Sequence, residues 1–368
     1  MLDQLGRLVA LDSGSYDAAG VDATGDLLAD FWASLGFACE RRPVAGFGGL
    51  RRFARRFNGQ GRLLILGHLD TVWPAGTAAE WPFRIDGELA HGPGVGDMKG
   101  GLVMARAAVA ALVEAGFDSV GEIRHLLIPD EELGSAASRA IIEDEAREAD
   151  WILVLEPARP NGAVVVERGA VGALIVRAAG VSAHVIHHGD GASAVRALAA
   201  MVVPLEKLTA LEQGESVNVG IISGGDARQV IPRACEMHID LRARNAAGAD
   251  ALLGKVMAIL NSGDDERIEV TVSGGITRPA FPASVSERLF ARAAAVAGEL
   301  SIDYPAARTS GGSDGSFGAA LGRPTLDGLG PVCFDSCSRR ERIVIRSLVE
   351  RGAVLAGLIA QLGAASWD

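Results

Sequence analysis

The first 170 residues alternate between short apolar runs and longer stretches whose apolar positions recur every three to four residues. RLLILGHLD (62–70) is an apolar run that closes on polar residues, which predicts a buried parallel strand. EIRHLLIPDEE (122–132) and ADWILVLEP (149–157) read the same way. Between the first two, GGLVMARAAVAALVEAG (100–116) is alanine-rich, helically spaced and stopped by a glycine. Strands and helices in alternation, with polar residues gathered where strands end, predict an α/β domain. Its site is expected at the carboxyl edge of the sheet.

From about Val171 the pattern changes. VGALIVRAAGVSAH (171–184) alternates like a half-buried strand, and GASAVRALAAMVVPLEKLTAL (191–211) has helical spacing. SVNVGIISGG, CEMHIDLRAR and RIEVTVSGG read as further strands, with a helix over ADALLGKVMAILNSG (249–263). This β-α-β-β-α-β order predicts a compact two-layer α+β module. After TRPAF (277–281) the earlier style returns, with a helix at 284–300, glycine-rich TSGGSDGSFGAAL (309–321) and a closing helix at 346–365. The expected organisation is one domain in two parts, 1–170 and 278–368, around an insert at 171–277.

Composition narrows the class. The chain of 368 residues is 49% hydrophobic and 22% charged, ordinary for a globular protein. A formal charge of -11 argues against a nucleic-acid face, which needs surplus positive charge. Arg51, Arg52, Arg55 and Arg56 form a local exception and read as a solvated strand face. No uninterrupted apolar run reaches the ~18 residues that a membrane span needs. The opening MLDQLGRLVALDSGSYD is acidic and helically spaced, unlike a secretion signal. Four scattered cysteines do not make a disulfide framework, so the cytoplasm is the expected compartment.

Four strand-end fragments carry candidate chemistry. GHLDTVWPAGT holds His68 and Asp70, GPGVGDMKGG holds Asp97, IPDEELGS holds Glu131 and Glu132, and VLEPA holds Glu156. Imidazole and carboxylate are donors of choice for zinc and similar divalent ions. Asp70, two residues beyond His68, is placed to accept the free ring N–H and fix which nitrogen faces a metal. Adjacent carboxylates in DEE point in different directions, so one can hold metal while the other handles protons.

In this order, and together with GVSAH, VNVGIISGG, VIP, DLR and SGGSDG, these fragments resemble the M20 co-catalytic zinc metallopeptidases. The chain is most like their glutamate carboxypeptidase (carboxypeptidase G2-like) branch, and the resemblance covers nearly its whole length. It implies a zinc-aminopeptidase-like catalytic domain with a mixed, mostly parallel sheet, plus an inserted ferredoxin-like lid that mediates homodimerisation. By resemblance, Asp97 bridges two Zn²⁺ ions, His68 and Glu156 complete one shell, and Glu132 belongs to the other. Glu131 is the implied general base. His184 is implied to steady the oxyanion from a neighbouring subunit, and Arg242 to bind the carboxylate of a peptide or acyl-amino acid. A surface salt bridge is the alternative for Arg242. Gln229 stands where the family has asparagine before VIP. His187 and His188 have no family counterpart and read as exposed hairpin residues.

One departure stands out. The family completes its second zinc shell with a histidine in a segment of the form GPVGGxAHSxxE. On GPVCFDSCSRRERI that position falls on Cys337, and the last histidine of the chain is His238. Three readings stand open: Cys337 thiolate ligates the second ion; the second ion is weakly held or absent, and the protein uses one metal or runs other chemistry, such as acyl transfer or a biosynthetic step; or Cys333 and Cys337 pair, or the site is dead and the protein only binds. Arg339 and Arg340 nearby read either as an attraction for an anionic substrate or as solvated loop residues.

Overall fold

The computed structural model describes residues 1–363, so the last two positions of the expected closing helix, Ala364 and Ala365, lie outside the described residues. The chain forms two compact units. One comprises Met1–Glu167, Phe281–Thr309 and the chain from Ser313 onward; the other comprises Arg168–Ala280 with Ser310–Gly312.

The first unit is built on a six-stranded mixed sheet. Its order is Ala38–Arg42, Leu50–Arg56, Val120–Ile128, Gln60–His68, Trp151–Val154, Thr325–Leu326. The last four strands run parallel, and the first two pair antiparallel at one edge. Apolar residues fill both faces of the central strand, since side chains alternate across a pleated sheet. Leu63 and Ile65 join the core beneath helices Gly101–Glu114 and Ile345–Gln361. Leu64 and Leu66 meet Ile142, Ala146 and Phe317 on the other side. With both faces covered, the loops where the parallel strands end are the open edge. Ser13, Gly14 and Ser15 reach that edge too, and a parallel bridge joins Gly14 to Thr71. A second, four-stranded sheet orders Cys333–Phe334, Arg342–Val344, Leu89–His91 and Arg84–Asp86, and carries the loop that contains Cys337.

Of the arginine tract only Arg56 is exposed; the other three are not a solvated face. Arg51 is fully buried and ion-paired to Asp22 and Asp26, at 3.2 and 2.6 Å. Arg52 pairs with the buried Glu145 at 2.7 Å, and Arg55 donates to the carbonyl of Leu35. Burying a guanidinium is costly unless carboxylates and carbonyls satisfy it. Those partners lie too far along the chain to be read from a local run of arginines.

The second unit is a four-stranded antiparallel sheet in the order Ser216–Gly224, Ala234–Ala243, Ala170–Ala179, Glu269–Arg278. Helices Ala194–Glu206 and Ala246–Leu260 pack on the face that carries Leu174, Val176, Met237, Ile239 and Leu241. The alternate residues Glu236, His238, Asp240 and Arg242 occupy the opposite face. This β-α-β-β-α-β topology is ferredoxin-like. No helix among the described residues is long and apolar enough to cross a membrane.

Candidate metal centre

Three of the buried parallel strands hand a donor to the open edge as they end. His68 is the last residue of its strand. The strand Val120–Ile128 continues through Pro129 and Asp130 into a single tight turn, Glu131–Leu133. Glu156 follows the strand Trp151–Val154. Asp97 comes from the segment just before helix Gly101–Glu114, where its backbone departs from helical geometry (φ -110, ψ 92) and a cis peptide links it to Met98.

These side chains converge. His68 Nε2 lies 3.1 Å from Asp97 Oδ1 and 3.7 Å from Glu156 Oε1. Donor atoms of His68, Asp97 and Glu132 all lie within 4.8 Å of one another, as do those of His68, Glu131 and Glu156. The other ring nitrogen, Nδ1, is 2.9 Å from the backbone oxygen of Asp70 and 3.5 Å from its carboxylate. The ring N–H therefore donates chiefly to the Asp70 carbonyl, which leaves Nε2 facing the cluster. The Asp70 carboxylate instead accepts the N–H groups of Glu131 and Glu132, each at 3.1 Å, and the Ser15 hydroxyl at 2.7 Å. It orients the Glu131–Glu132 backbone as much as the imidazole. Ser15 was not singled out from the sequence, because nothing in LDSGSYD links it to a residue 55 positions on.

Crowded charge marks the site. Burial and the neighbouring Asp97 carboxylate push the Glu132 carboxyl up to about 9, and the same two causes push Glu156 well above the usual range. Burial opposes charging of His68, yet hydrogen bonds to Asp70 and Asp97 outweigh it and raise the imidazole. Burial likewise works against the Asp97 carboxylate, but His68 holds it low. Carboxylates that repel one another in a buried site are relieved by a cation, and a donor set of one imidazole with several carboxylate oxygens suits a divalent ion such as zinc. The residues fit the group.

The loop that should supply the remaining histidine delivers two side chains to one oxygen. Ser336 Oγ donates to Asp97 Oδ2 at 2.8 Å, and Cys337 Sγ lies 3.3 Å from the same atom. Asp335 and Cys337 both adopt left-handed backbone (φ 52 and 58) to turn the tip inward. Burial, with Asp97 and Glu132 alongside, raises the Cys337 thiol. Cys333 is buried nearby, and both cysteines are free thiols, which removes the disulfide pairing considered above. Ser336 is a further missed residue; the gap-free frame pointed one position beyond it.

The remaining residues expected at a site lie in the second unit. His184 is exposed and its Nδ1 accepts the Ile186 N–H at 3.3 Å. Gln229 lies beside it, its carbonyl accepting the Val185 N–H at 3.1 Å. His187 and His188 are exposed in a short helical turn, Val185–Asp190, and not in a hairpin. Arg242 makes a two-pronged pair with Asp240, Nε and Nη2 each 2.8 Å from a carboxylate oxygen, while Nη1 reaches the Ser310 carbonyl at 3.4 Å. One edge of its planar fork is thus taken by a neighbour two residues away.

Comparison with known proteins decides the family. The sequence profile of Peptidase family M20/M25/M40 matches residues 64–361. This chain belongs to that family. The M20 chain is 30% identical to carboxypeptidase G2 from Pseudomonas sp. (strain RS-16), over 99% of its own length and 89% of that protein. It is 33% identical to a succinyl-diaminopimelate desuccinylase from Alkalilimnicola ehrlichii, over 83% of its length and 84% of the other. Among solved structures, the M20 metallo-carboxypeptidase Sso-CP2 from Sulfolobus solfataricus superposes with a TM-score of 0.74 at 17% identity, covering 99% of each chain. Aminopeptidase PepT from Bacillus cereus gives 0.78 at 19% identity, over 98% and 97%. At those identities the likeness is one of fold.

Proposed function

We propose that this M20 protein hydrolyses an amide bond adjacent to a free carboxylate, as a carboxypeptidase or an N-acyl-amino-acid deacylase, with a Glu-type residue favoured. The observation that carries the reading is the convergence of two triads that share His68, one with Asp97 and Glu132 and the other with Glu131 and Glu156, the Glu131 backbone being held by Asp70. His68, Asp97 and Glu156 would hold one divalent cation, and Asp97, Glu132 and Cys337 a second, zinc being the expected ion. When bound, such cations supply Lewis acidity, making water a stronger acid and a carbonyl a better electrophile.

The chain's own groups do the rest. Glu131 takes the proton of the attacking water and returns it to the leaving amine. Asp70 fixes its direction through the Glu131 N–H. Arg242, stiffened by Asp240, offers its remaining N–H groups to the substrate carboxylate. His184 of a second copy steadies the developing oxyanion, with Gln229 beside it, in a homodimer joined through the ferredoxin-like unit. The four cysteines are free thiols, in keeping with a cytoplasmic setting.

Turnover of N-acyl-glutamates and dipeptides by zinc-loaded protein tests the reading. Glu131→Gln is expected to lower kcat by about 10²–10⁴, the usual worth of a positioned base; unchanged turnover would refute the assigned role. Acyl transfer on the same scaffold is a second reading, favoured by the Ser336 and Cys337 side chains at Asp97 in place of an imidazole. Adding hydroxylamine separates the two: a transferase diverts most of the acyl group to the hydroxamate, whereas a hydrolase releases free acid.

A further inference from the structure

The last position of the family segment, Glu341, has no function in the scheme above, and the structure gives it one. Its side chain is fully buried. One carboxylate oxygen accepts the N–H groups of Gly96 at 2.8 Å and of Asp97 at 3.0 Å. Asp97 sits where the backbone leaves helical geometry, so these N–H groups depend on an outside acceptor. Gly96 makes the approach possible, because a Cβ there would meet Cys333 Sγ at 2.3 Å. Glu341 is itself set by a turn in which its N–H donates to the Ser338 carbonyl at 2.9 Å. Four residues earlier in the same loop, Ser336 and Cys337 hold the carboxylate of Asp97. A single loop therefore grips the bridging residue at both ends, backbone by Glu341 and side chain by Ser336 and Cys337.

We propose that Glu341 is a positioning residue for the metal centre, fixing the Asp97 backbone so that its carboxylate points between His68 and the 336–337 tip. The inference rests on Asp97 being a metal ligand. Groups that orient metal ligands typically alter metal affinity by 10- to 100-fold when removed. A purely structural buried acid alters folding stability and leaves affinity in the folded state alone. Glu145, buried and ion-paired to Arg52 and Arg124, supplies that comparison.

The test is Zn²⁺ affinity by competition with a chromophoric chelator at 25 °C, on full-length protein whose folding is verified by circular dichroism. Glu341→Ala removes the acceptor, Glu341→Asp withdraws it by one methylene, and Glu341→Gln keeps an oxygen in place. We expect at least tenfold weaker Zn²⁺ binding for the Ala and Asp variants, and binding within about threefold of wild type for Gln and for Glu145→Ala. Should the Ala variant not fold, the contrast between Asp and Gln decides. Wild-type affinity in Glu341→Asp would overturn the proposal, as would a Gln variant as weak as the Asp one. A wild-type protein that binds no zinc at all would fail the metal reading itself, a result distinct from either.

Discussion

Asp70 shows why single residues have to be read through their partners. Its place two residues after a strand-end histidine is visible in the sequence, and the expectation that it orients His68 follows from chemistry alone. That its carboxylate serves Glu131, Glu132 and Ser15, while its carbonyl serves the imidazole, depends on contacts 55 to 62 residues away. Arg51 teaches the same lesson from the side of charge: it is neutralised by Asp22 and Asp26, acids that no local pattern marks. His125 gives a residue-scale prediction. It is fully buried against Trp32, and burial pushes its imidazole down to about 3. The unfolded chain takes up that proton below about 6.5, while the folded chain resists until about 3. The histidine's share of stability is therefore complete above about pH 6.5 and is lost progressively as pH falls toward 3. The urea midpoint of wild type should fall relative to that of His125→Leu on going from pH 7 to pH 4.5. A gap that stays constant would contradict the burial argument.

At the scale of elements, the apolar runs and helical spacings read true because the parallel strands of the central sheet are buried on both faces toward their carboxyl ends, while the antiparallel edge strand Ala38–Arg42 stays exposed. The loop from Asp335 to Glu341 was the least legible element, since its shape depends on segments some 240 residues upstream. Its outer side makes contacts as well. The Arg339 guanidinium lies 5.4 Å from the ring centre of Trp73 and 5.9 Å from that of Trp81, and pairs with Glu80 at 3.2 Å. Arg339 is therefore a partnered loop residue whose side chain stays about half exposed. Cation–π contacts at exposed positions contribute roughly 0.5–1 kcal/mol each. Arg339→Ala should leave the melting temperature within about 2 °C of wild type while speeding amide hydrogen exchange in residues 335–340. Exchange that is unchanged there would mean the aromatic pair does not hold the loop.

For the molecule as a whole, the proposed donors, at positions 68, 97, 132 and 156, come from distant parts of one sheet edge, so a cation that binds only the folded chain must stabilise it. Free metal at 1,000 times its Kd adds about 4 kcal/mol, enough to raise the melting temperature by several degrees. Chelator treatment should lower the melting temperature by that much. Asp97→Asn should abolish the difference between treated and untreated protein. Calorimetric scans of both, with and without zinc, check this.

The central claim is that these side chains cage divalent cations with Asp97 between them. Anomalous diffraction at the zinc edge from crystals grown with zinc tests it most directly. The account predicts one peak among His68, Asp97 and Glu156 and a second beside Glu132 and Asp97, with the Cys337 sulfur in contact. Maps from zinc-loaded crystals with no peak in reach of both His68 and Asp97 would contradict it.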